Sequence, residues 1–281
     1  MSFVREASDV VKLRGILEYH DGANQRIIAK LEDQEGIRNC KEIIDVADGI
    51  MVARGDLGIE CPYEDLPLIQ RSVVKQCVER GRTVIVATHM LESMVETPSP
   101  TRAEITDVAN AVFEEADAIM LSGETSIGSY PLRCVEVMDR IAQRTEEGEK
   151  AGFSAGAQVD ARPAHIMKAA ASMAGELGAS ALIVFTHTGT MARYASWFRP
   201  SLTPIHCFTN DRKVLPQLTL HWGLQPHLIE FCEEAPLNDV ETAISHLKEQ
   251  GHLKAGDCVV AISEIRAFSV RGDTVLVRDV S

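Results

Sequence analysis

No C-x-x-C pair occurs in this chain, and its seven cysteines (Cys40, Cys61, Cys77, Cys134, Cys207, Cys232 and Cys258) are odd in number. That argues against a disulfide framework or a thiolate zinc site and fits a reducing compartment, the cytoplasm. No apolar run approaches 18 residues, so no membrane-spanning helix is expected. The first twelve residues, MSFVREASDVVK, contain no apolar h-region and do not read as a signal peptide. Clustered Lys and Arg are missing as well. The 28 basic residues are outnumbered by 41 acidic ones spread along the sequence, giving a net charge of −13. Nucleic acid is therefore not an expected partner. A small anionic substrate stays possible, because a local positive site or a metal outvotes the global charge. The histidines at 187, 206, 221 and 227 show no metal-ligand spacing and read as ordinary surface or core residues.

What is present is a repeated rhythm of short apolar runs and amphipathic stretches. The 281 residues, 45% of them apolar, suffice for one large domain or two ordinary ones. Continuous apolar runs at 26–31 (RIIAKL), 49–53 (GIMVA), 83–88 (TVIVAT) and 118–122 (AIMLS) read as strands covered on both faces. Amphipathic stretches at 36–46, 64–80, 101–115 and 131–147 read as helices, so the pattern is βα units around a parallel sheet. A Gly-, Ala- and charge-rich segment at 146–163 reads as a junction. Beyond it, strands are expected at 181–186, 203–208, 226–231, 257–263 and 274–279, and helices at 163–177, 190–198, 211–218 and 238–250. Only a short connector, 264–273, separates the last two strands, which makes that pair a candidate for antiparallel pairing. The expected fold class is α/β: parallel βα units over 1–155, which the family resemblance given below implies are the C-terminal half of a (β/α)8 barrel, then a smaller α/β domain over 156–281.

In a parallel α/β barrel the reactive groups stand at the C-terminal ends of strands. The four runs of the first half end in Lys30-Leu31-Glu32-Asp33, Arg54-Gly55-Asp56-Leu57-Gly58, Thr88-His89-Met90 and Ser122-Gly123-Glu124-Thr125. Lys30 and Glu32, two apart on a strand, share a face. Gly55 and Gly58 suit a tight strand-to-loop turn that exposes backbone N–H groups to an anion. Glu32 and Asp56, from neighbouring strands, could share one Mg2+, which commonly takes one or two carboxylates and fills its remaining positions with water or substrate oxygens. A lysine beside such a metal suits a phosphoryl or enolate oxygen. Singly, each motif has a plainer reading: a solvated ion pair, a turn, a core threonine, a helix N-cap. Their shared position at one end of four successive strands outweighs those readings.

Five segments resemble the pyruvate kinase family: 28–36 (IAKLEDQEG), 48–60 (DGIMVARGDLGIE), 87–93 (ATHMLES), 100–112 (PTRAEITDVANAV) and 116–131 (ADAIMLSGETSIGSYP). The resemblance implies phosphoryl transfer from phosphoenolpyruvate to ADP, giving pyruvate and ATP in glycolysis. It implies that Lys30 stabilises the moving phosphoryl group and that Glu32 and Asp56 hold Mg2+, with Mn2+ as a possible substitute. The N–H groups of Gly55 and Asp56, with the Thr88 hydroxyl, would cradle the substrate carboxylate. Thr88 and Ser122 would lie near the face where the enolate is protonated, the immediate proton donor being open. His89 stands where many relatives carry glutamine. In the second half, Thr186-His187-Thr188-Gly189-Thr190 follows a strand and opens a helix, a ready phosphate site. In the family this loop takes a sugar-phosphate effector, although His187 stands where some members have lysine, and Arg199-Pro200 matches too.

The resemblance implies incompleteness as well. The segment 2–5 is similar to the end of the family's fourth strand, so only strands five to eight are expected here. The potassium ligands and most of the nucleotide-contacting arginines would lie outside the chain. A homo-oligomer, a tetramer in the family, is implied, with 100–104 near a subunit contact. Two alternatives stand beside this reading: a catalytically inactive sugar-phosphate-binding module, or one chain of a split enzyme. A different Mg2+-dependent, enolate-forming barrel is disfavoured by Lys30 and the second domain.

Overall fold

The computed structural model describes residues 1–158, 160–200, 203–232, 236–267 and 270–281. The chain divides into two compact units, Met1–Ala157 and Gln158–Ser281, each with its own sheet.

The first unit runs α1 (Ala7–Tyr19), β1 (Ile28–Leu31), α2 (Gln34–Arg38), α3 (Cys40–Val46), β2 (Gly49–Ala53), α4 (Arg54–Glu60), α5 (Leu66–Glu79), β3 (Thr83–Ala87), α6 (Arg102–Phe113), β4 (Ala118–Met120), α7 (Gly123–Ser126) and α8 (Pro131–Glu146). The strands lie in the order β1-β2-β3-β4, all parallel, as expected of part of a barrel. Every residue of β3 is buried, which is why Thr83–Ala87 reads as a continuous apolar run rather than an alternating one. Ile43, Ile44, Ile50, Val74, Val84, Val86 and Met94 form the core between sheet and helices. Each such side chain contributes roughly 1.5–3 kcal/mol on leaving water. The helix starts use local polar chemistry. Asp33 accepts the Gly36 N–H at 2.8 Å ahead of α2. Thr101 and Glu104 form a reciprocal capping box at the start of α6.

Several expectations are corrected in this unit. The helix expected over 36–46 is two helices, because Asn39 leaves helical geometry between them. The sequence reading left 7–19 unassigned, yet it forms α1. Arg14 explains its place: one guanidinium nitrogen donates to the Val46 carbonyl and to Asp48, both at 3.0 Å. The segment from Arg54 to Glu60 is helix α4, not an open turn. Met1 donates to the Ile28 carbonyl and accepts from the Lys30 N–H, the bonding pattern of a parallel neighbour along β1.

The second unit runs α9 (Arg162–Glu176), β5 (Ala181–Phe185), α10 (Thr190–Trp197), β6 (Ile205–Thr209), α11 (Leu215–Leu218), β7 (Leu224–Leu228), α12 (Pro236–Glu249), β8 (Cys258–Ala267) and β9 (Val270–Asp279). Its sheet order is β7-β6-β5-β8-β9, parallel except for the β8–β9 pair. That pair is antiparallel, as the short connector suggested, but the ladder runs from Cys258↔Asp279 to Ala267↔Val270. Most of the expected connector is therefore strand; residues 268 and 269 lie outside the described residues. Helices cover both faces. Met167, Ala170, Ala174, Ala192 and Ala195 pack against one, and Val240, Ala243, Ile244 and Leu247 against the other. The alanines let α9 and α10 approach the sheet closely.

Candidate active site and effector loop

The C-terminal ends of β1, β2 and β3 bring the expected residues together. Lys30 is the third residue of β1, and Glu32 follows the strand directly. The Lys30 ammonium is paired with Glu32 Oε1 and lies 3.4 Å from Asp56 Oδ2. The Glu32 side chain is only 2% exposed and Asp56 is 52% exposed, so the cluster grades from interior to solvent. The hydrogen bond that Lys30 donates to Glu32, followed by the charges of both carboxylates, raises the Lys30 pKa above its ordinary value against the opposing effect of burial. Glu32 is further fixed by the Phe3 N–H, which donates to Oε2 at 2.8 Å. This last contact was not anticipated; a backbone donor 29 residues away leaves no mark in sequence.

Asp56 sits in the first turn of α4, where a carboxylate also favours the helix dipole. The Gly55 N–H donates to Thr88 Oγ1 at 2.8 Å, and that hydroxyl donates to the Ala87 carbonyl at 2.7 Å. A Cβ at Gly55 would stand 3.3 Å from both Thr88 Oγ1 and the His89 ring, so glycine permits this close approach of the β2 and β3 ends. Thr88 has φ +68° and His89 φ +54°. Left-handed geometry is costly for a β-branched residue and persists where the surroundings enforce it. The enforcing residue is Arg54. Its guanidinium donates to the carbonyls of Thr88 (2.6 Å) and Ala87 (3.3 Å) and to Asp107 (2.6 Å). Sequence reasoning gave Arg54 no role. The available signal was an arginine directly before Gly-Asp at a strand end.

Ser122 immediately precedes α7 and is half-buried. Its N–H donates to Glu124 Oε2 at 2.7 Å, and Glu124 Oε1 accepts from Leu91 N–H at 3.0 Å. The fully buried Glu124 thus ties the β3 end to the β4 end. Among the described residues, the contacts of Ser122 run to Glu124 and Thr125 rather than to the Lys30 cluster.

A cation between two carboxylates is what this donor set accommodates, and the Lys30 ammonium fills that position here. Two carboxylates with room for water and substrate oxygens fit Mg2+. Among the described residues, no group of three or more His, Cys, Asp and Glu side chains could hold a metal by itself. Any metal here would therefore occupy an open site completed by other ligands.

In the second unit, the loop after β5 holds Thr186, buried, and His187, whose Nδ1 lies 3.1 Å from Asn210 Oδ1. The hydroxyls of Thr188 and Thr190 are 3.0 Å apart, and Arg193 donates to Thr190 Oγ1 at 3.2 Å. Gly189 takes φ +82° just before α10, a conformation that glycine adopts without penalty. The five expected loop residues therefore do lie together at the α10 N-terminus, with hydroxyls and an arginine side by side.

Parallel βα units with a lysine and carboxylates at their C-terminal ends define the first unit as part of an α/β-barrel enzyme, and the second as an accessory α/β domain. The comparisons specify which. The pyruvate kinase barrel domain matches residues 1–135, and the pyruvate kinase alpha/beta domain matches residues 164–278. The chain belongs to the pyruvate kinase family. It is 40% identical over 286 aligned positions to a pyruvate kinase of Clostridium acetobutylicum, covering 99% of this chain and 59% of that protein. It is 42% identical over 272 positions to a pyruvate kinase of Geobacillus stearothermophilus, covering 92% of this chain and 44% of that one. Plastidial pyruvate kinase 3, chloroplastic, of Arabidopsis thaliana is 42% identical over 266 positions, 93% of this chain and 46% of the relative. The chain spans about half the length of the curated relatives it matches. No helix among the described residues is long and apolar enough to cross a membrane.

Proposed function

We propose that this chain carries the phosphoenolpyruvate- and metal-facing part of a pyruvate kinase, which transfers a phosphoryl group to ADP once the remaining strands of the barrel are supplied. The supporting observation is the convergence of Lys30, Glu32 and Asp56 at the ends of β1 and β2, beside the Gly55–Thr88 contact. Lys30 neutralises charge on the phosphoryl oxygens as the P–O bond of phosphoenolpyruvate breaks. Phosphoryl transfer depends on positioning and charge stabilisation, which a fixed ammonium provides. Glu32 and Asp56 are the residues that would hold Mg2+ or Mn2+; when bound, the cation supplies further positive charge to the substrate oxygens. Gly55 N–H and Thr88 Oγ1, which satisfy one another here, would turn to the substrate carboxylate together with the Asp56 N–H. Thr88 and Ser122 would border the face of the enolate that takes up a proton at C3 to give pyruvate. Arg54 positions this region by holding the Thr88 carbonyl.

The domain limits proposed are 1–155 and 156–281. The K+ ligands, most of the nucleotide contacts and the tetramer partners belong to the family picture and would lie outside these residues, and the setting proposed is cytoplasmic glycolysis. With phosphoenolpyruvate, ADP, Mg2+ and K+, the 281-residue chain alone should show little or no turnover; ordinary rates would overturn the view that it needs the missing strands. In the completed enzyme, Lys30→Met should lower kcat for phosphoryl transfer by at least ~10²–10³-fold. Exchange of pyruvate methyl protons with D2O should fall less. Equal loss of the two would remove the role assigned to Lys30.

The pre-formed loop at 186–190 supports a second reading, a sugar-phosphate sensor. Fructose 1,6-bisphosphate and ribose 5-phosphate should each be tested for stabilisation of the chain. Stabilisation by either, with no Mg2+-dependent binding of phosphoenolpyruvate, would favour the sensor over the enzyme.

A further inference from the structure

Four histidines distant in sequence meet at one edge of the second unit. His206 on β6 and His227 on β7 lie on the same face of the sheet as Phe208, since Phe208 pairs with His227 in the ladder. His206 Nδ1 is 3.0 Å from His227 Nε2. His246, in the last turn of α12, has its ring 5.2 Å from that of His227, edge to face. His252, in the turn after α12, has its ring 4.9 Å from His206 and 6.3 Å from His227. The cluster grades outward: His206 is buried, His227 and His246 are half-buried and His252 is exposed. The sequence expectation that His206 and His227 are unremarkable core or surface residues, drawn from spacing alone, omitted His246 and His252, which only the tertiary fold brings in.

Among the described residues, no carboxylate bears on His206 or His227. The charged forms that bear on His206 are those of His227, His252 and His246, and those bearing on His227 are His246 and His252. Four charged groups of the packed elements have partners elsewhere, and Glu249 at the end of α12 is exposed to solvent. Asp239 accepts from Cys232 N–H, Glu241 pairs with Arg278, Lys248 reaches the Ser281 carbonyl, and Asp257 accepts from the Lys254 N–H. The neighbouring strand β8 presents Val259 and Ala261 to α12. The cluster therefore packs well only while its rings are neutral, with the single N···N contact at 3.0 Å able to use one proton.

We propose that His206, His227, His246 and His252 form a proton-operated latch that holds the C-terminal end of α12 and the following turn against β6 and β7 when neutral, and releases them when protonated. The direction follows from linkage. Burial first, and the neighbouring imidazoles second, push His206 and His227 down to about 4. In a released segment both return to about 6.5. The released form thus binds more protons between about pH 6.5 and pH 4, and falling pH in that window favours it. Above the window the latch is closed and pH has no leverage.

The test is hydrogen exchange of the 281-residue chain between pH 7.5 and 4.5, corrected for intrinsic rates, with the histidine ring protons titrated by NMR alongside. Protection over 246–253 should fall about 10- to 100-fold per pH unit below about 6, for one to two protons taken up. Protection of the central strand β5 should persist through the same range. His206→Gln combined with His227→Gln should remove the pH dependence. Should that pair fail to fold, His252→Gln at the exposed edge decides, because losing its charge should move the His227 titration upward. Ordinary titration of His206 and His227 near pH 6.5 would overturn the latch. So would loss of protection in β5 together with α12.

Discussion

The two units differ in how their half-buried carboxylates and histidines are compensated. In the first, buried or half-buried carboxylates are surrounded by donors. Burial opposes ionisation of Asp48, but the Ile27 N–H with Arg14 and Arg26 holds its pKa below the usual carboxylate value. Glu104 is likewise kept low, against burial, by Ser93 and Thr101. In the second, two imidazoles and a thiol are held neutral by burial, while the buried Asp239 keeps a donor in the Cys232 N–H. His206 and His227 are pushed down to about 4, and burial pushes Cys207 up to about 12. The first unit thus compensates its buried carboxylates with donors, whereas the second leaves His206 and His227 to burial and to one another; burial pushes up thiols in both, Cys40 as well as Cys207. The consequence is a different acid response. Depressed carboxylates stabilise above their unfolded values near 4 and lose that contribution as pH falls further, whereas depressed histidines lose theirs already from about pH 6.5 downward.

This contrast can be broken at its strongest points first. Phe208→Ala, in the fully buried core of the second unit, should cost ~3–5 kcal/mol. Urea unfolding monitored by exchange in β5 measures it, and exchange in β3 should be unaffected. Arg54→Leu in the first unit removes the ties to Asp107, Thr88 and Ala87 and should cost about 3 kcal/mol. It should weaken protection at 88–90 most. Asp48→Asn, which keeps the shape but loses charge-assisted bonds to Arg14, Arg26 and Ile27, should cost ~1.5–3 kcal/mol at pH 7. That difference should shrink progressively below pH 4, where the unfolded chain takes up a proton that the native Asp48 carboxylate, held low by its donors, still resists; an equal cost at pH 3 and pH 7 would remove the charge argument. Thr101→Ala, losing one N-cap, should lower stability by about 1 kcal/mol, read as a small shift in the midpoint of the first unit.

Legibility followed the range of the interaction. Strands β2 and β3 were readable because central parallel strands are buried on both faces and so leave uninterrupted apolar runs. Strand β7 was expected two residues late, at 226–231, because Leu224–Leu228 is a half-exposed edge strand with a mixed pattern. Helix α1 was missed because its apolar positions are weakly segregated and its place depends on Arg14 reaching Asp48, 34 residues on. Lys30, Glu32, Asp56 and Thr88 were legible as a group because each stands at or just beyond the C-terminal end of a recognisable strand. Arg54 was not, since its carbonyl partners belong to another strand's end. Nor was the left-handed backbone of Thr88 and His89, which no local residue preference announces.

Sequence by itself thus determined the βα rhythm, the reactive groups at the strand ends and the family likeness, because these rest on local periodicity and on residues adjacent to their own strands. Tertiary structure alone decided that the Lys30 ammonium lies between Glu32 and Asp56, that Arg54 holds Thr88, and that four scattered histidines share one apolar edge. The reason is geometric. A parallel sheet sets side by side residues that are separated by an intervening helix in sequence, and the electrostatics of a site depends on those spatial neighbours.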